Sequence, residues 1–365
     1  MIFLIVVTLI LYQALLVFVH LAVYATLAAA FGIGGRALEV VFILLAITFV
    51  TAQVLSFRFD SAPVRWYYRF ATYWFGLVHF LFVGGVIFFF AEKILFGSDH
   101  YVSPALLGAV SFGVLFLIHL YGTWKSGSAT TTLVPIALPN LPESWRGKKI
   151  VFVSDLHLGD VRGRKFAEKV VKKIMAEAPD VVLIGGDMYD GVKCDLEGFV
   201  APFASLRPPL GVYFVTGNHD YIRETERSLA AIRGAGIRVL HNEKIDLDGI
   251  QLVGIDYQSA HKKQDFEKIL SGIEITRDAP AIILKHVPDN IPVTERSGIA
   301  LAFFGHTHNG QIFPLTVITR QMFQGFGYGL NRSKGMQTYT SSGAGTWGPP
   351  LRLGTRSEIV VVTLL

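Results

Sequence analysis

The amino-acid sequence predicts an α/β domain that follows a bundle of four membrane-spanning helices. The first third of the 365-residue chain carries very few charged side chains, whereas charge density beyond Lys125 is ordinary for a soluble domain. In this second part, short apolar runs alternate with amphipathic helical stretches, which is typical of an α/β fold. Five of the apolar runs end in Asp, His or Asn. The predicted domain therefore places potential metal ligands directly after its strands.

The membrane part is predicted from four uncharged stretches. About 20 apolar residues cross the hydrocarbon core of a bilayer, so each stretch is expected to form one helix. The four stretches are Met1–Gly35, Val40–Phe57, Phe70–Ala91 and Tyr101–Trp124. Lys and Arg are more frequent on the side of both chain ends than on the opposite side. By the positive-inside rule, the sequence predicts a multi-pass protein of the cell membrane with its C-terminal domain in the cytoplasm.

The predicted domain order follows from these changes in composition. Residues 1–124 form the four-helix membrane domain, residues 125–144 a linker with an initial strand, and residues 145–365 the α/β domain. Ser126–Thr132 is rich in Gly, Ser and Thr, as linkers are, and Leu133–Leu138 has the composition of a strand.

Composition also excludes some classes of function. The formal net charge of +5 is small and dispersed, so no nucleic-acid partner is expected. Cys194 is the only cysteine, so an intrachain disulfide cannot form.

Further elements of the α/β domain are predicted from periodicity. Helices are expected at Arg164–Ala178 and Glu224–Arg233. Strands are expected at Ile237–Leu240, Lys244–Leu247, Ile250–Ile255 and Glu358–Leu364. Asp248 and Gly249 form a tight hairpin signal between two of these strands. The Gly-rich segment Gln311–Arg356 is expected to be a loop.

The polar residues after the five apolar runs have metal-ligand character. Asp155 and His157 follow the first run, Asp187 the second, Asn218, His219 and Asp220 the third, His286 the fourth, and His306 and His308 the fifth. Each group alone has an ordinary explanation, such as a helix cap or a loop histidine. Because strand carboxyl ends meet at one edge of a sheet, the full ordered set predicts a two-metal hydrolytic centre.

These motifs resemble a known family. The segments Asp155-Leu-His157, Gly186-Asp187, Gly217-Asn-His-Asp220, His286 and Gly305-His-Thr-His308 are similar to the five signature blocks of the calcineurin-like metallophosphoesterases. The resemblance covers about two thirds of the chain. Together with the N-terminal helices, Gly305–Gln311 resembles the bacterial membrane-bound branch related to transmembrane proteins with a metallophosphoesterase domain. That branch usually has Gly where Asn309 stands, and Asn tolerates the same left-handed turn.

The resemblance implies a fold and a ligand set. The fold would be a two-sheet α/β/β/α sandwich. One ion would be held by Asp155, His157 and His308, and the other by Asn218, His286 and His306. Asp187 would bridge the two ions, since a carboxylate has enough lone pairs for both. This mixture of oxygen and nitrogen donors suits two divalent ions of Mn, Fe or Zn.

Other residues are expected to act on the substrate. His219 follows a ligand, so its ring is predicted to face the leaving-group oxygen and donate a proton or stabilise charge. Asp220 would either orient His219 or form the turn. Arg162 and Arg352 lie near the site loops in sequence and are predicted to bind substrate, with a solvated surface charge as the alternative.

The function implied by the resemblance is a membrane-bound, metal-dependent phosphoesterase. Its substrate would be a phosphodiester, a phosphomonoester or a pyrophosphate. Two accounts of the helices remain open: they present a lipid-linked substrate among the membrane lipids, or they only tether the enzyme. A different class of function is a non-catalytic membrane scaffold that retains the fold, which would be expected to lose ligands first.

Overall fold

A computed structural model describes residues 2–95, 102–191 and 194–365. The chain divides into two compact units. One comprises Met1–Trp124 with Gly348–Leu351, and the other comprises Lys125–Trp347 with Arg352–Leu365.

The first unit contains the four apolar helices that the sequence predicts. They are α1 (Ile2–Phe31), α2 (Arg36–Arg58), α3 (Ala62–Leu95) and α4 (Pro104–Ser126). All four are long and apolar enough to cross a membrane. Within the unit, the Trp74 indole N–H donates to His20 Nε2 at 2.9 Å, which satisfies both polar groups between helices. Tyr101, the start of the fourth predicted stretch, lies outside the described residues.

In its described residues, the second unit contains twelve strands in two mixed sheets. Strands of the first sheet are β1 (Thr130–Ile136), β2 (Lys149–Val153), β3 (Val181–Ile184), β4 (Val212–Phe214), β5 (Arg238–Val239) and β12 (Glu358–Leu364). Their spatial order is β1-β12-β2-β3-β4-β5, and β2 to β5 are parallel. The chain thus returns at its end to insert β12 between β1 and β2.

The second sheet, like the first, has six strands in the described residues. They are β6 (Glu243–Leu247), β7 (Ile250–Gly254), β8 (Ala281–Leu284), β9 (Leu301–Phe304), β10 (Gly329–Ser333) and β11 (Met336–Thr340). Their order is β10-β11-β9-β8-β7-β6, with β11, β9, β8 and β7 parallel. The predicted hairpin turn at Asp248 and Gly249 is confirmed, with φ of 51° and 88° at the two positions.

Six helices complete the second unit in its described residues. They are α5 (Arg164–Ala176), α6 (Leu196–Val200), α7 (Thr225–Gly234), α8 (Lys263–Gly272), α9 (Ile291–Arg296) and α10 (Leu315–Met322). Single 3₁₀ turns occur at Glu143–Trp145, Ala201–Ser205, His219–Tyr221 and His308–Gly310.

Alternation of side chains along the strands creates the layers. In β2, Ile150 and Phe152 face the second sheet, whereas Val151 and Val153 face the helices, because successive side chains point to opposite faces. Phe152 meets Phe303 of β9 with ring centroids 4.9 Å apart. Helices α5 and α7 cover the outer face of the first sheet, and α8 and α9 cover that of the second. The predicted α/β/β/α sandwich is confirmed.

Two expectations about loops are corrected. The segment Gln311–Arg356 is not a plain loop, since it contains α10, β10 and β11. Its many glycines mark the turns between these elements and obscure their periodicity. The linker is also shorter than Ser126–Thr132, because α4 continues to Ser126 and β1 begins at Thr130.

Candidate metal centre

The five apolar runs are strands, and their polar residues meet at the carboxyl ends of the two sheets. Parallel β2, β3 and β4 deliver Asp155, Asp187 and Asn218, and parallel β8 and β9 deliver His286 and His306. Because the two sheets are stacked, the two rims face each other. All seven predicted ligands therefore converge on one place.

The first cluster contains Asp155, His157 and His308, whose donor atoms all lie within 4.8 Å of one another. His157 Nε2 is 3.0 Å from His308 Nε2, and His308 Nε2 is 3.5 Å from Asp155 Oδ1. Ligands held about 2.0–2.2 Å from one ion lie roughly 3–3.5 Å apart. The spacing of this cluster fits a single divalent ion.

The second cluster contains Asn218, His286 and His306. The Asn218 amide oxygen lies 3.1 Å from His286 Nε2 and 2.9 Å from His306 Nδ1. The other nitrogen of His286, Nδ1, lies 2.7 Å from the Gly185 carbonyl, which fixes the ring orientation. One amide oxygen and two imidazole nitrogens thus point to a second common position.

Asp187 lies between the clusters. Its Oδ2 is 3.7 Å from His157 Nε2 and 3.3 Å from His286 Nε2. Its Oδ1 accepts a hydrogen bond from the His219 backbone N–H at 2.8 Å. One carboxylate oxygen is therefore held by the backbone, and the other is directed toward both clusters, as a bridging ligand requires.

The backbone at the centre is strained. Five of the seven predicted ligands have positive φ, a conformation that non-glycine residues rarely adopt. They are Asp155 (54°), His157 (47°), Asp187 (51°), His306 (69°) and His308 (49°). Asn309 also adopts the left-handed conformation, with φ of 50°, as its side chain permits. Such strain is concentrated at functional sites because the surrounding structure must stabilise it.

The electrostatics of the centre suit cations. Asp155 and Asp187 are buried, with 0% and 2% exposure. Burial raises the pKa of Asp155, and the neighbouring Asp187 adds to that effect. Burial also lowers the pKa of His306 to about 3 and that of His308 well below its ordinary value, so both rings are neutral. The Asp187 carboxylate instead raises the pKa of the buried His286 to about 9, so this carboxylate attracts positive charge. Buried carboxylates beside imidazoles are the donor set that divalent metals bind.

His219 is placed at the edge of the first cluster. Its ring lies edge-on to His157, with centroids 4.6 Å apart, and its Nδ1 lies 3.1 Å from the Asp190 carbonyl oxygen. Because a carbonyl oxygen only accepts, Nδ1 carries a proton and donates it to this hydrogen bond. Nε2 is then available to a substrate. Burial lowers the pKa of His219, and His157 lowers it further.

Asp220 does not contact the His219 ring. Its carboxylate accepts hydrogen bonds from the backbone N–H groups of Asp187, Met188 and Gly217 at 2.8–3.1 Å. Asp220 therefore braces the Asp187 loop against the Asn218 loop. Of the two roles considered for this residue, the geometry supports the turn-forming one.

Arg162 and Arg352 are not placed for the predicted substrate contact. Arg352 is fully buried and donates to the carbonyls of His308, Ser342 and Gly345 at 2.5–2.7 Å. Arg162 is 8% exposed and donates to the hydroxyls of Ser126 and Thr346. Proximity in sequence was the only basis for these two assignments, and it does not report the direction of a side chain.

Sequence reasoning missed two supporting carboxylates. Asp190 Oδ1 lies 3.4 Å from His157 Nδ1, beside the ring of that predicted ligand. Asp256 is buried and accepts hydrogen bonds from Thr216, Tyr221 and Ser259, which brace the Asn218 loop. A signal existed for Asp256, since it follows the apolar β7 strand as the ligands follow theirs.

A cavity of about 140 Å³ adjoins the second cluster. Its lining includes the rings of Tyr257, His261, His286 and His306 together with Lys285. Tyr257 stands edge-on to His286, with centroids 6.1 Å apart. A group larger than a phosphate oxygen can therefore be accommodated beside the ligands.

Comparison with known proteins supports the same interpretation. The sequence profile of the family "Calcineurin-like phosphoesterase" matches residues 148–310. A transmembrane protein with metallophosphoesterase domain from Danio rerio is 37% identical over 248 residues, which are 63% of this chain and 56% of that protein. An uncharacterized metallophosphoesterase from Campylobacter jejuni is 28% identical over 334 residues, 88% of both chains.

A third relative is matched over most of its own length. An uncharacterized metallophosphoesterase from Aquifex aeolicus is 32% identical over 222 residues, which are 59% of this chain and 84% of that protein. The chain spans only 56–62% of the length of several other curated relatives, including those of Danio rerio and Bos taurus. The region that the family profile matches, residues 148–310, contains all seven predicted ligands. On this fold, this site and these relatives, the chain is a membrane protein that belongs to the calcineurin-like metallophosphoesterases.

Proposed function

We propose that this protein is a membrane-bound phosphoesterase with a dinuclear metal centre. The observation that carries the proposal is the position of Asp187 Oδ2, which lies 3.7 Å from a nitrogen of one ligand cluster and 3.3 Å from a nitrogen of the other. Asp155, His157 and His308 would hold one ion, and Asn218, His286 and His306 the other. Two divalent ions of Mn, Fe or Zn would supply an activated water and neutralise charge on a phosphoryl group.

The protein's own residues would orient and stabilise this arrangement. The backbone N–H of His219 and the carboxylate of Asp220 hold the Asp187 loop, so Oδ2 of Asp187 would stay directed toward both ions. His219 Nε2 would contact the leaving-group oxygen, since its Nδ1 is occupied by the Asp190 carbonyl. A bound phosphate would favour the imidazolium form, which can donate a proton to that oxygen.

The substrate would be a phosphodiester, a phosphomonoester or a pyrophosphate. The four long apolar helices favour a protein that crosses the membrane several times. The Lys and Arg distribution favours an α/β domain in the cytoplasm. The helices also suit a lipid-linked substrate, whose headgroup would reach the centre from the bilayer surface.

Metal content and turnover test the proposal together. Full-length protein should contain about two divalent ions and hydrolyse bis(4-nitrophenyl) phosphate. Removal of the ions with a chelator should abolish turnover, and re-addition of Mn²⁺ or Zn²⁺ should restore it. Protein that binds two ions but turns over no phosphoester would instead be the non-catalytic scaffold. Protein that binds no ion would contradict the assignment of the centre.

A further inference from the structure

An exposed apolar ridge lies beside the candidate centre. It consists of Phe313, Leu315, Ile318 and Met322, which are 48–70% exposed. The last three occupy positions i, i+3 and i+7 of α10, so they share one face of that helix. No residue of α10 is buried. Contiguous exposed apolar surface of this kind marks an interaction site, whereas isolated exposed apolar residues do not.

The sequence around the ridge is basic, although the nearby Arg296 and Lys334 pair with glutamates. No Asp or Glu occurs between Glu295 and Glu358, whereas six Lys and Arg residues lie there. Arg320 lies on α10 itself and lines a cavity of about 390 Å³ with Thr316, Tyr328 and Asn331. Among the described residues, Arg320 and Arg332 have no carboxylate partner within 4.0 Å. An apolar helix face with basic neighbours complements a surface of acyl chains and anionic headgroups.

The covalent connection limits how far this unit can move from the bilayer. The membrane-spanning helix α4 ends at Ser126, and β1 begins at Thr130. Four Cα steps span at most about 14 Å. This short connection keeps the α/β domain near the bilayer whether or not the ridge takes part, which raises the effective concentration of lipid near the domain.

The ridge is connected directly to the loop that carries two ligands. The Thr307 hydroxyl donates to the Gly327 carbonyl at 2.7 Å, and the His306 and Phe323 rings are 6.1 Å apart. Gly310 packs so closely on α10 that an added Cβ would lie 2.5 Å from the backbone of Leu315. The segment that contains α10 and the His306–His308 loop thus pack directly against each other.

We propose that the ridge inserts into the leaflet of the bilayer that this protein spans, so that the metal centre opens at the level of the lipid headgroups. The substrate class would be a phosphoester whose apolar part remains in the leaflet. This part of the proposal rests on the proposed function, whereas insertion of α10 does not.

Insertion is tested on the full-length protein in mixed phosphatidylcholine–phosphatidylglycerol vesicles. An environment-sensitive fluorophore is attached at Ile318→Cys or, as the matched control, at Met175→Cys, which is a 53% exposed apolar position on α5. Native Cys194 is only 4% exposed, and the unmutated protein serves as the labelling blank. Brominated lipids should quench the label at position 318 several-fold more than the label at position 175.

Two outcomes would overturn the insertion. One is equal quenching at both positions. The other is a label at position 318 that brominated lipids do not quench and whose fluorescence changes when the protein is diluted in the bilayer. In that case a second copy of the chain would cover the ridge.

The catalytic consequence is tested with two diesters that share a leaving group. Hexadecyl 4-nitrophenyl phosphate is embedded in the vesicles, and bis(4-nitrophenyl) phosphate is dissolved in water. Leu315→Asp with Ile318→Asp should lower turnover of the embedded diester at least about tenfold relative to the soluble one. An equal loss of turnover on both diesters would contradict the proposed substrate class. Absence of any wild-type turnover would contradict the proposed function and leave the quenching result intact.

Discussion

At the residue scale, several predicted ligands of the candidate centre lie against a second group of the protein. His286 is oriented by the Gly185 carbonyl, His157 lies beside Asp190, and Asp187 accepts from the His219 N–H. Such contacts matter because a metal ligand must keep its ring or carboxylate orientation before the ion arrives. The predictions for single residues therefore distinguish variants that lose a metal ion from variants that keep both ions and lose turnover.

Asp187→Asn should remove about one ion and nearly all turnover. The amide keeps the shape of the side chain but lacks the charge that two cations share. Metal content per chain and the rate with bis(4-nitrophenyl) phosphate measure the two effects. Asp248→Asn, the same change in the β6–β7 turn, is the control and should alter neither. Full metal content with a near wild-type rate in Asp187→Asn would rule out the bridging assignment.

His219→Ala should retain both ions and lose turnover by roughly 10²–10⁴-fold, as removal of a general acid typically does. His219→Asn is the matched variant, because its amide can still donate to the Asp190 carbonyl but offers nothing in place of Nε2. Both variants should be equally slow. If His219→Asn recovers the rate, the role of the ring is positional, and if His219→Ala loses an ion, His219 is a ligand.

At the element scale, close contacts between strand ends determine the geometry of the centre. Gly305 follows β9, and an added Cβ there would lie 1.9 Å from Ser154 Oγ and 2.4 Å from Asp155 Oδ2. The two sheets can approach this closely only because the residue lacks a side chain. The β2 and β9 loops, which carry four of the predicted ligands, are thereby held together.

Gly305→Ala should therefore separate these loops and weaken the first cluster. We expect a loss of about 1–3 kcal/mol in the free energy of unfolding, as for other overpacked sites, together with lower metal content. Gly272→Ala at the end of α8 is the control, since nothing lies within 4 Å of its added Cβ. Thermal unfolding of both variants measures the loss of stability, and metal analysis measures the loss of bound ions. An unchanged Gly305→Ala protein would show that the loops can move apart without cost.

At the scale of the whole molecule, the orientation in the membrane determines which phosphoesters the centre can reach. The Lys and Arg distribution predicts a cytoplasmic α/β domain. A C-terminal reporter enzyme that is active only outside the cytoplasm should therefore remain silent, while a cytoplasm-active reporter at the same position should give a signal. Strong activity of the first reporter would reverse the orientation and direct the search to substrates of the cell envelope.

A fragment of residues 125–365 separates tethering from presentation. It contains both sheets and every predicted ligand, so it should fold, bind metal and cleave the soluble diester. If the membrane part positions lipid substrates, the fragment should lose far more rate on hexadecyl 4-nitrophenyl phosphate in vesicles than on the soluble diester. Equal rates for the fragment and the full-length protein on the embedded diester would leave the helices as a simple tether.

The sequence by itself determined the four apolar helices, the five strands that carry the candidate ligands and the residue types of these candidates. These features depend on local composition: uncharged length for a membrane helix, and a β-branched apolar run followed by a polar turn for a buried strand. The order of Asp155, Asp187, Asn218, His286 and His306 after these strands was therefore predictable from the sequence alone.

Only the tertiary structure decided which side chains face the centre and which support it. Arg352 and Asp220 are close to ligands in sequence, yet one donates to buried carbonyls and the other accepts from backbone N–H groups. Asp256 is distant in sequence and supports the Asn218 loop through Thr216 and Tyr221. Side-chain direction and contacts between sheets arise from packing over long sequence separations, which a local pattern does not contain.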